Sequence, residues 1–261
     1  MQIVFALVAL VVGFVLLVKG ADWFVEGSAG IANKFGIPQI VIGLTIVAMG
    51  TSMPEAAVSI SAALRGSAEI TIGNVVGSNI MNILVILGLT AVVCQIAVQK
   101  TTIHYEIPMV IGVTILLAVM GLQNNIISRA EGVILLACMV VYMLYLLRLA
   151  KRGVVENEEM DAYAKQVSFG RLILLVVVGV AAIIFGSHVA VEAASAIARI
   201  FGISERFIGL TIVAFGTSLP ELVTSVAAAR RGNSDIAVGN IVGSNLFNIM
   251  FVVGITAVIE P

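Results

Sequence analysis

The chain has 261 residues, of which 60% are hydrophobic and only 11% are charged, and its formal net charge is −1. Soluble domains are usually about half apolar and about a quarter charged, so a soluble interior of this size could not bury so much apolar surface. The composition predicts an integral membrane protein, and the near-zero charge argues against a nucleic-acid partner.

Eight stretches of the chain are suited to crossing a bilayer, which takes about 20 largely apolar residues. They predict an all-α membrane protein with eight helices, at residues 2–30, 39–64, 70–97, 107–122, 126–149, 169–200, 207–229 and 236–259. The first stretch has no positive residue before it and no small-residue cleavage site after it. We therefore interpret it as a retained membrane helix and not as a signal peptide.

The long polar segment at 150–168 predicts a loop that divides the chain into two halves. The first half, 1–149, would contain five helices, and the second half, 169–261, would contain three. Placing the N-terminus outside puts the larger share of Lys and Arg, including those of the loop, on the cytoplasmic side. That arrangement agrees with the positive-inside tendency of membrane proteins.

An internal repeat organises the chain. Residues 41–93 and 207–259 align without a gap at an offset of 166, and 30 of the 53 aligned positions are identical. Five predicted helices separate equivalent points, and an odd number means that the second copy enters the membrane upside down. Inverted repeats of this kind are a common plan of secondary transporters, which bind their substrates near the midplane on broken helices.

Each copy contains the motif Gly-Thr-Ser-x-Pro-Glu, ending at Glu55 in the first copy and at Glu221 in the second. The proline breaks the helical hydrogen bonding, and broken backbone survives in lipid only where it is buried in protein or lines a polar cavity. A carboxylate at this depth costs about 2.5–3.5 kcal/mol on insertion scales, so it needs a partner. No Lys, Arg or His lies in the middle of these two segments, so a bound cation is the simplest partner. A protonated glutamate that is hydrogen-bonded within the bundle is the alternative.

Helical spacing brings further oxygen atoms to the same faces. Thr51 and Glu55 are four residues apart, as are Thr217 and Glu221, so each pair shares one face of a helix. The helix after each motif carries a column of polar residues at steps of four: Asn74, Ser78 and Asn82 in the first copy, and Asn240, Ser244 and Asn248 in the second. Hydrogen bonding between helices is the alternative role for these columns.

Oxygen-only sites suit hard cations, and calcium takes 6–8 oxygen ligands in flexible geometry. Two carboxylates match either one divalent ion or two monovalent ions, which is a physical basis for exchange. The histidines and cysteines lie apart from the motifs, so we predict no zinc site, no disulfide and no cofactor beyond the transported ions.

The paired motifs GTSMPE and GTSLPE, followed by GNVVGSNIMN and GNIVGSNLFN, resemble those of the sodium/calcium exchanger family in the calcium/cation antiporter superfamily, prokaryotic type. The resemblance covers most of the chain and is strongest over 40–93 and 206–259. It implies a prokaryotic plasma membrane and ten helices in two inverted halves. Counterparts of the fourth and fifth helices would follow Pro261, so the chain is expected to be a piece of a longer protein or to manage without them.

The resemblance also implies a site. Calcium would lie between Glu55 and Glu221, with the carbonyl groups of Thr51 and Thr217. Sodium would use the same carboxylates with the carbonyls of Ala48 and Ala214 and with Thr51, Ser52, Thr217, Ser218, Ser78 and Ser244. Asn82 and Asn248 would line the centre, and sliding of the first and sixth helices would alternate access. Potassium-dependent relatives carry Asp at the position of Asn248, so potassium dependence is not expected.

These observations favour a sodium-coupled calcium antiporter. A proton-coupled calcium antiporter remains open, because protons can neutralise the same glutamates. A cation channel is disfavoured, since channels usually build their pore from symmetric subunits, whereas this chain carries its own inverted pair. An enzyme is not expected, because the sequence offers no plausible nucleophile–base pair.

Overall fold

The structure is a computed structural model that describes residues 2–151 and 167–261, and the regular structure within these ranges is helical. We number the segments α1 to α8. They comprise α1 Gln2–Phe35, α2 Gln39–Thr51 with Met53–Ala63, α3 Glu69–Val93, α4 Thr102–Glu106 with Ile107–Asn124, α5 Arg129–Ala150, α6 Phe169–Ile200, α7 205–217 with Leu219–Arg230, and α8 Ser234–Ile259.

Six of the described helices are long and apolar enough to cross a membrane, and the two bent pairs raise the number to eight. The outer surface of the bundle suits lipid, since side chains such as Leu84 and Val141 are 72% and 66% exposed. These features confirm the predicted all-α membrane fold with broken helices.

Some helix ends differ from those predicted. α1 continues past Gly30 to Phe35, and the added turn packs Ile31 and Ala32 into the buried core. α1 ends at Phe35, and the next residue, Gly36, adopts the left-handed conformation (φ 61°) common after helix C-termini. α3 ends at Val93, earlier than predicted, and α4 begins with a π-helical turn at Thr102, earlier than predicted.

The long helices α1 and α6 pack against each other through glycines. A Cβ atom on Gly13 would lie 2.9 Å from the carbonyl oxygen of Gly186, and one on Gly179 would lie 2.8 Å from that of Gly20. The residue numbers rise on one helix as they fall on the other, so α1 and α6 are antiparallel. The repeat offset relates Gly13 to Gly179 and Gly20 to Gly186, so the contact is symmetric and the second copy is inverted.

Both motif helices bend where the sequence predicted a break. The halves of α2 meet at 49° and those of α7 at 50°. The breaks fall at Ser52 and Ser218, and each motif proline occupies the first turn of the second half. Proline is tolerated there because the first backbone N–H groups of a helix have no intrahelical partner.

The two copies share a fold but not an environment. In α8, 83% of the spanning segment is buried, compared with 28% in its counterpart α3. α4 and α5 cover one face of α8, whereas the equivalent face of α3 is uncovered. As a result Leu246 and Met250 are 0% and 1% exposed, while their counterparts Ile80 and Leu84 are 52% and 72% exposed. α8 is therefore the central helix of the described bundle.

Candidate cation site

The two motif glutamates meet inside the bundle. Glu55 and Glu221 each lie in the first turn of the second half of their bent helix, and each is 1% exposed. Their carboxyl groups are close enough to interact electrostatically. A helix N-terminus carries partial positive charge and stabilises a nearby carboxylate. Each bend thus presents one acid, and the inverted packing brings the two acids together.

Hydroxyl groups of each motif reach the glutamate of the other copy. Ser52 donates a hydrogen bond from Oγ to Oε1 of Glu221, at 2.8 Å. The side chain of Thr217 lies near the carboxyl group of Glu55. Thr51 also lies within reach of the Glu221 carboxyl group. Both copies therefore build one shared site.

The first residue of each polar column holds the bent backbone in place. The side-chain amide of Asn74 donates to the carbonyl oxygen of Glu55 at 3.2 Å, and that of Asn240 donates to the carbonyl oxygen of Glu221 at 3.3 Å. This symmetric pair fixes the start of each second half against the neighbouring helix, so the two asparagines position the acids.

An asparagine network joins α3 to α8 across the repeat. The amide of Asn82 donates to Oδ1 of Asn245 at 2.9 Å, and the amide of Asn248 donates to Oδ1 of Asn79 at 3.1 Å. The sequence interpretation missed Asn79 and Asn245, because it followed steps of four along each helix. The signal was present, since both residues recur in the GSN part of the repeated motif.

Several oxygen atoms of these residues are buried with no hydrogen-bond partner among the described residues. They are Oε2 of Glu55, Oε2 of Glu221, Oδ1 of Asn82, Oδ1 of Asn248 and Oγ of Ser218. Leaving a buried acceptor unpaired costs about 1–3 kcal/mol, and more for a charged group. Carboxylate, amide and hydroxyl oxygens are the ligands that hard cations prefer. The unpaired atoms are thus of the kind that a calcium or sodium ion would satisfy.

The other predicted ligands in α2 are more buried than their counterparts in α7. The carbonyl oxygen of Ala48 accepts a hydrogen bond from Ser244 at 3.4 Å, and Thr51 is buried. Their counterparts in α7 lie farther from the centre, since Ala214 is exposed and Thr217 is half-buried. Ser78 is buried but forms no equivalent bond to Ala214 in the described structure. The structure therefore places the predicted ligands near the bend of α2 closer together than those near the bend of α7.

A further buried acid lies outside the site. Glu106 in α4 is 1% exposed, and Tyr145 of α5 donates a hydrogen bond to its carboxyl group. The sequence interpretation missed this residue because it started the fourth helix at Ile107. Two acids of α1, Asp22 and Glu26, form ion pairs with Arg231 at 3.6 and 3.4 Å.

An inverted pair of bent helices, with polar groups where they meet, is the architecture of a secondary transporter. A family profile described as "Sodium/calcium exchanger protein" matches residues 5–148 and 171–261. The chain belongs to the sodium/calcium exchanger family, and it is a multi-pass membrane antiporter.

Similar proteins agree with this assignment. The chain is 40% identical over 260 residues to the putative antiporter CaxA of Alkalimonas amylolytica, with 98% of this chain and 81% of that protein covered. It is 33% identical over 293 residues to the sodium/calcium exchanger MaX1 of Methanosarcina acetivorans, covering 97% and 82%. A solved structure of the sodium-calcium exchanger NCX_Mj superimposes with a TM-score of 0.86 at 34% identity, covering 98% of this chain and 82% of that one.

Proposed function

We propose that the protein exchanges Ca²⁺ for Na⁺ by alternating access, at a site centred on Glu55 and Glu221. The observation that carries the proposal is the pair of buried carboxyl groups, one from each copy, each with an unpaired oxygen. Two carboxylates balance one calcium ion or two sodium ions. Because calcium and sodium need the same oxygen ligands, binding of one ion excludes the other. That competition for ligands couples the calcium flux to the sodium flux.

The proposed ligand sets follow the chemistry of the two ions. Calcium would take both carboxylates with the carbonyl oxygens of Thr51 and Thr217. Sodium would take the carboxylates with the hydroxyl and carbonyl groups of Ala48, Ala214, Thr51, Thr217, Ser52, Ser218, Ser78 and Ser244, while Asn82 and Asn248 line the centre. Ser52 and Ser244 support this assignment, because both lie close to the Glu221 carboxyl group. We also propose that the N-terminus lies outside and that the 150–168 loop is cytoplasmic.

Sodium is proposed as the coupling ion over the proton because of the donors around the acids. A proton needs only the carboxylates, whereas a dehydrated sodium ion needs the hydroxyl and carbonyl oxygens that surround them. Two similar proteins are also named sodium/calcium exchangers, MaX1 and NCX_Mj.

Purified protein in sealed liposomes should take up radioactive calcium when sodium is loaded inside and diluted outside. A pH gradient alone, with no sodium on either side, should drive no uptake above that of protein-free liposomes. Uptake driven by the pH gradient in the absence of sodium would instead establish proton coupling. Calcium flux that persists with neither sodium nor protons to exchange would identify a channel.

A further inference from the structure

The first half of each bent helix faces a helix of the other copy, and this contact differs between the two copies. In the first copy, the first half of α2 lies directly against α8. A Cβ atom on Gly43 would be 3.0 Å from Cα of Gly239, and one on Gly243 would be 2.7 Å from Cβ of Ala48. No side chain fits between backbones this close. We call this contact, made by Gly43, Gly239 and Gly243, the α2 gate.

The second copy carries the same glycines without the contact. The repeat offset relates Gly43 to Gly209, Gly239 to Gly73, and Gly243 to Gly77. A Cβ atom on any of Gly73, Gly77 and Gly209 would meet nothing within 4 Å. We call these three residues the α7 gate. In this structure only the last turn of the first half of α7, Ala214–Thr217, approaches α3.

Side-chain burial shows the same difference between the gates. Val47, in the first half of α2, is 0% exposed, whereas its counterpart Val213, in the first half of α7, is 44% exposed. The hydroxyl of Thr51 donates to Oδ1 of Asn240 at 3.0 Å. The equivalent bond from Thr217 to Asn74 is not formed in the described structure. The α2 gate is therefore closed and the α7 gate is open.

The first half of α7 is held elsewhere in this state. Ser187 of α6 donates a hydrogen bond to the carbonyl oxygen of Gly216 at 2.8 Å. A Cβ atom on Gly216 would overlap the side chain of Val191, also on α6. The first half of α7 thus packs against α6, and it approaches α3 only through its last turn.

We infer that Gly73 and Gly77 form a landing surface for the first half of α7, used only in the transport state opposite to this one. The inference rests on the proposed alternating access, because a transporter of this kind opens one gate when it closes the other. The α2 gate shows the closed geometry that this repeated sequence can adopt. That geometry has no room for a side chain at the positions of Gly73 and Gly77, although a Cβ atom on either residue would meet nothing within 4 Å in this structure.

The first test is transport by Gly73→Ala and Gly77→Ala in sealed liposomes. Neither methyl group meets an atom in this state, and alanine is a better helix former than glycine, so folding and calcium binding should be retained. Calcium exchange should fall about tenfold or more, because overpacking disfavours the closed α7 gate. Gly112→Ala in α4 is the matched control, since it also adds a methyl group in open space and should exchange like wild type.

The second test reads the gates directly and does not depend on the ion transported. In a cysteine-free background, Val47→Cys should react with a water-soluble thiol reagent only when the α2 gate opens. Adding Gly77→Ala should slow that reaction about tenfold or more, while Val213→Cys should react at least as fast as without it.

The inference would be overturned if both glycine variants exchanged calcium at a rate within twofold of the control. It would also be overturned if Val47→Cys were labelled at the same rate with and without Gly77→Ala, or were labelled in neither protein. If wild-type protein exchanges no calcium for sodium, the proposed function fails, and the labelling result still decides the role of the glycines.

Discussion

Replacing either Glu55 or Glu221 with glutamine should abolish calcium exchange while the protein still inserts and folds. Glutamine keeps the volume and one carbonyl oxygen but removes half of the charge that balances a divalent ion. Losing one partner of a buried charge interaction costs about 2–5 kcal/mol, which corresponds to a loss of at least about 30-fold in calcium affinity. Calcium uptake into sodium-loaded liposomes and isothermal titration with calcium measure the two effects.

Glu106→Gln is the matched control for this experiment. Glu106 is as buried as Glu55, at 1% exposure, but it lies in α4 and is hydrogen-bonded by Tyr145. If removing any buried carboxyl group abolished transport, all three glutamine variants would lose calcium exchange. A site at the motif glutamates predicts instead that Glu106→Gln still exchanges calcium and the other two variants do not. Normal exchange by Glu55→Gln or Glu221→Gln would refute the proposed site.

The sequence was sufficient to predict the membrane fold and the meeting of the two acids. Both follow from strong local signals: long apolar runs, and a proline-broken motif that recurs at a fixed offset. The inversion also followed from counting helices, and the antiparallel contact of Gly13 with Gly186 agrees with it. The cross-copy bond from Ser52 to Glu221 could not be predicted, because it depends on how the two bends are rotated against each other.

The difference between the two gates could not be read from sequence at all. Gly43 and Gly209 sit in the same heptapeptide, IGLTIVA, yet one lies against a neighbouring backbone and the other does not. The repeated sequence allows the closed contact in both copies, and under the proposed alternating access the transport state decides which copy forms it. Under that proposal, the asymmetry between the two copies of the motif reports the conformational state of the transporter.

Gly179→Ala should destabilise the whole bundle, because it separates the two longest helices at the contact that relates the halves. Its methyl group would lie 2.6 Å from the backbone nitrogen of Phe24, which cannot move without shifting α1. Overpacking of this kind costs about 1–3 kcal/mol, so the midpoint of thermal unfolding in detergent should fall by about 5 °C. Gly13→Ala, the symmetry-related change, should behave alike, whereas Gly170→Ala on α6 meets no atom within 4 Å and should leave the midpoint unchanged. Unequal shifts of the midpoint in Gly179→Ala and Gly13→Ala would mean that the two inverted halves do not share this contact equally. An unchanged midpoint in both variants would show that the α1–α6 contact does not help to hold the halves together.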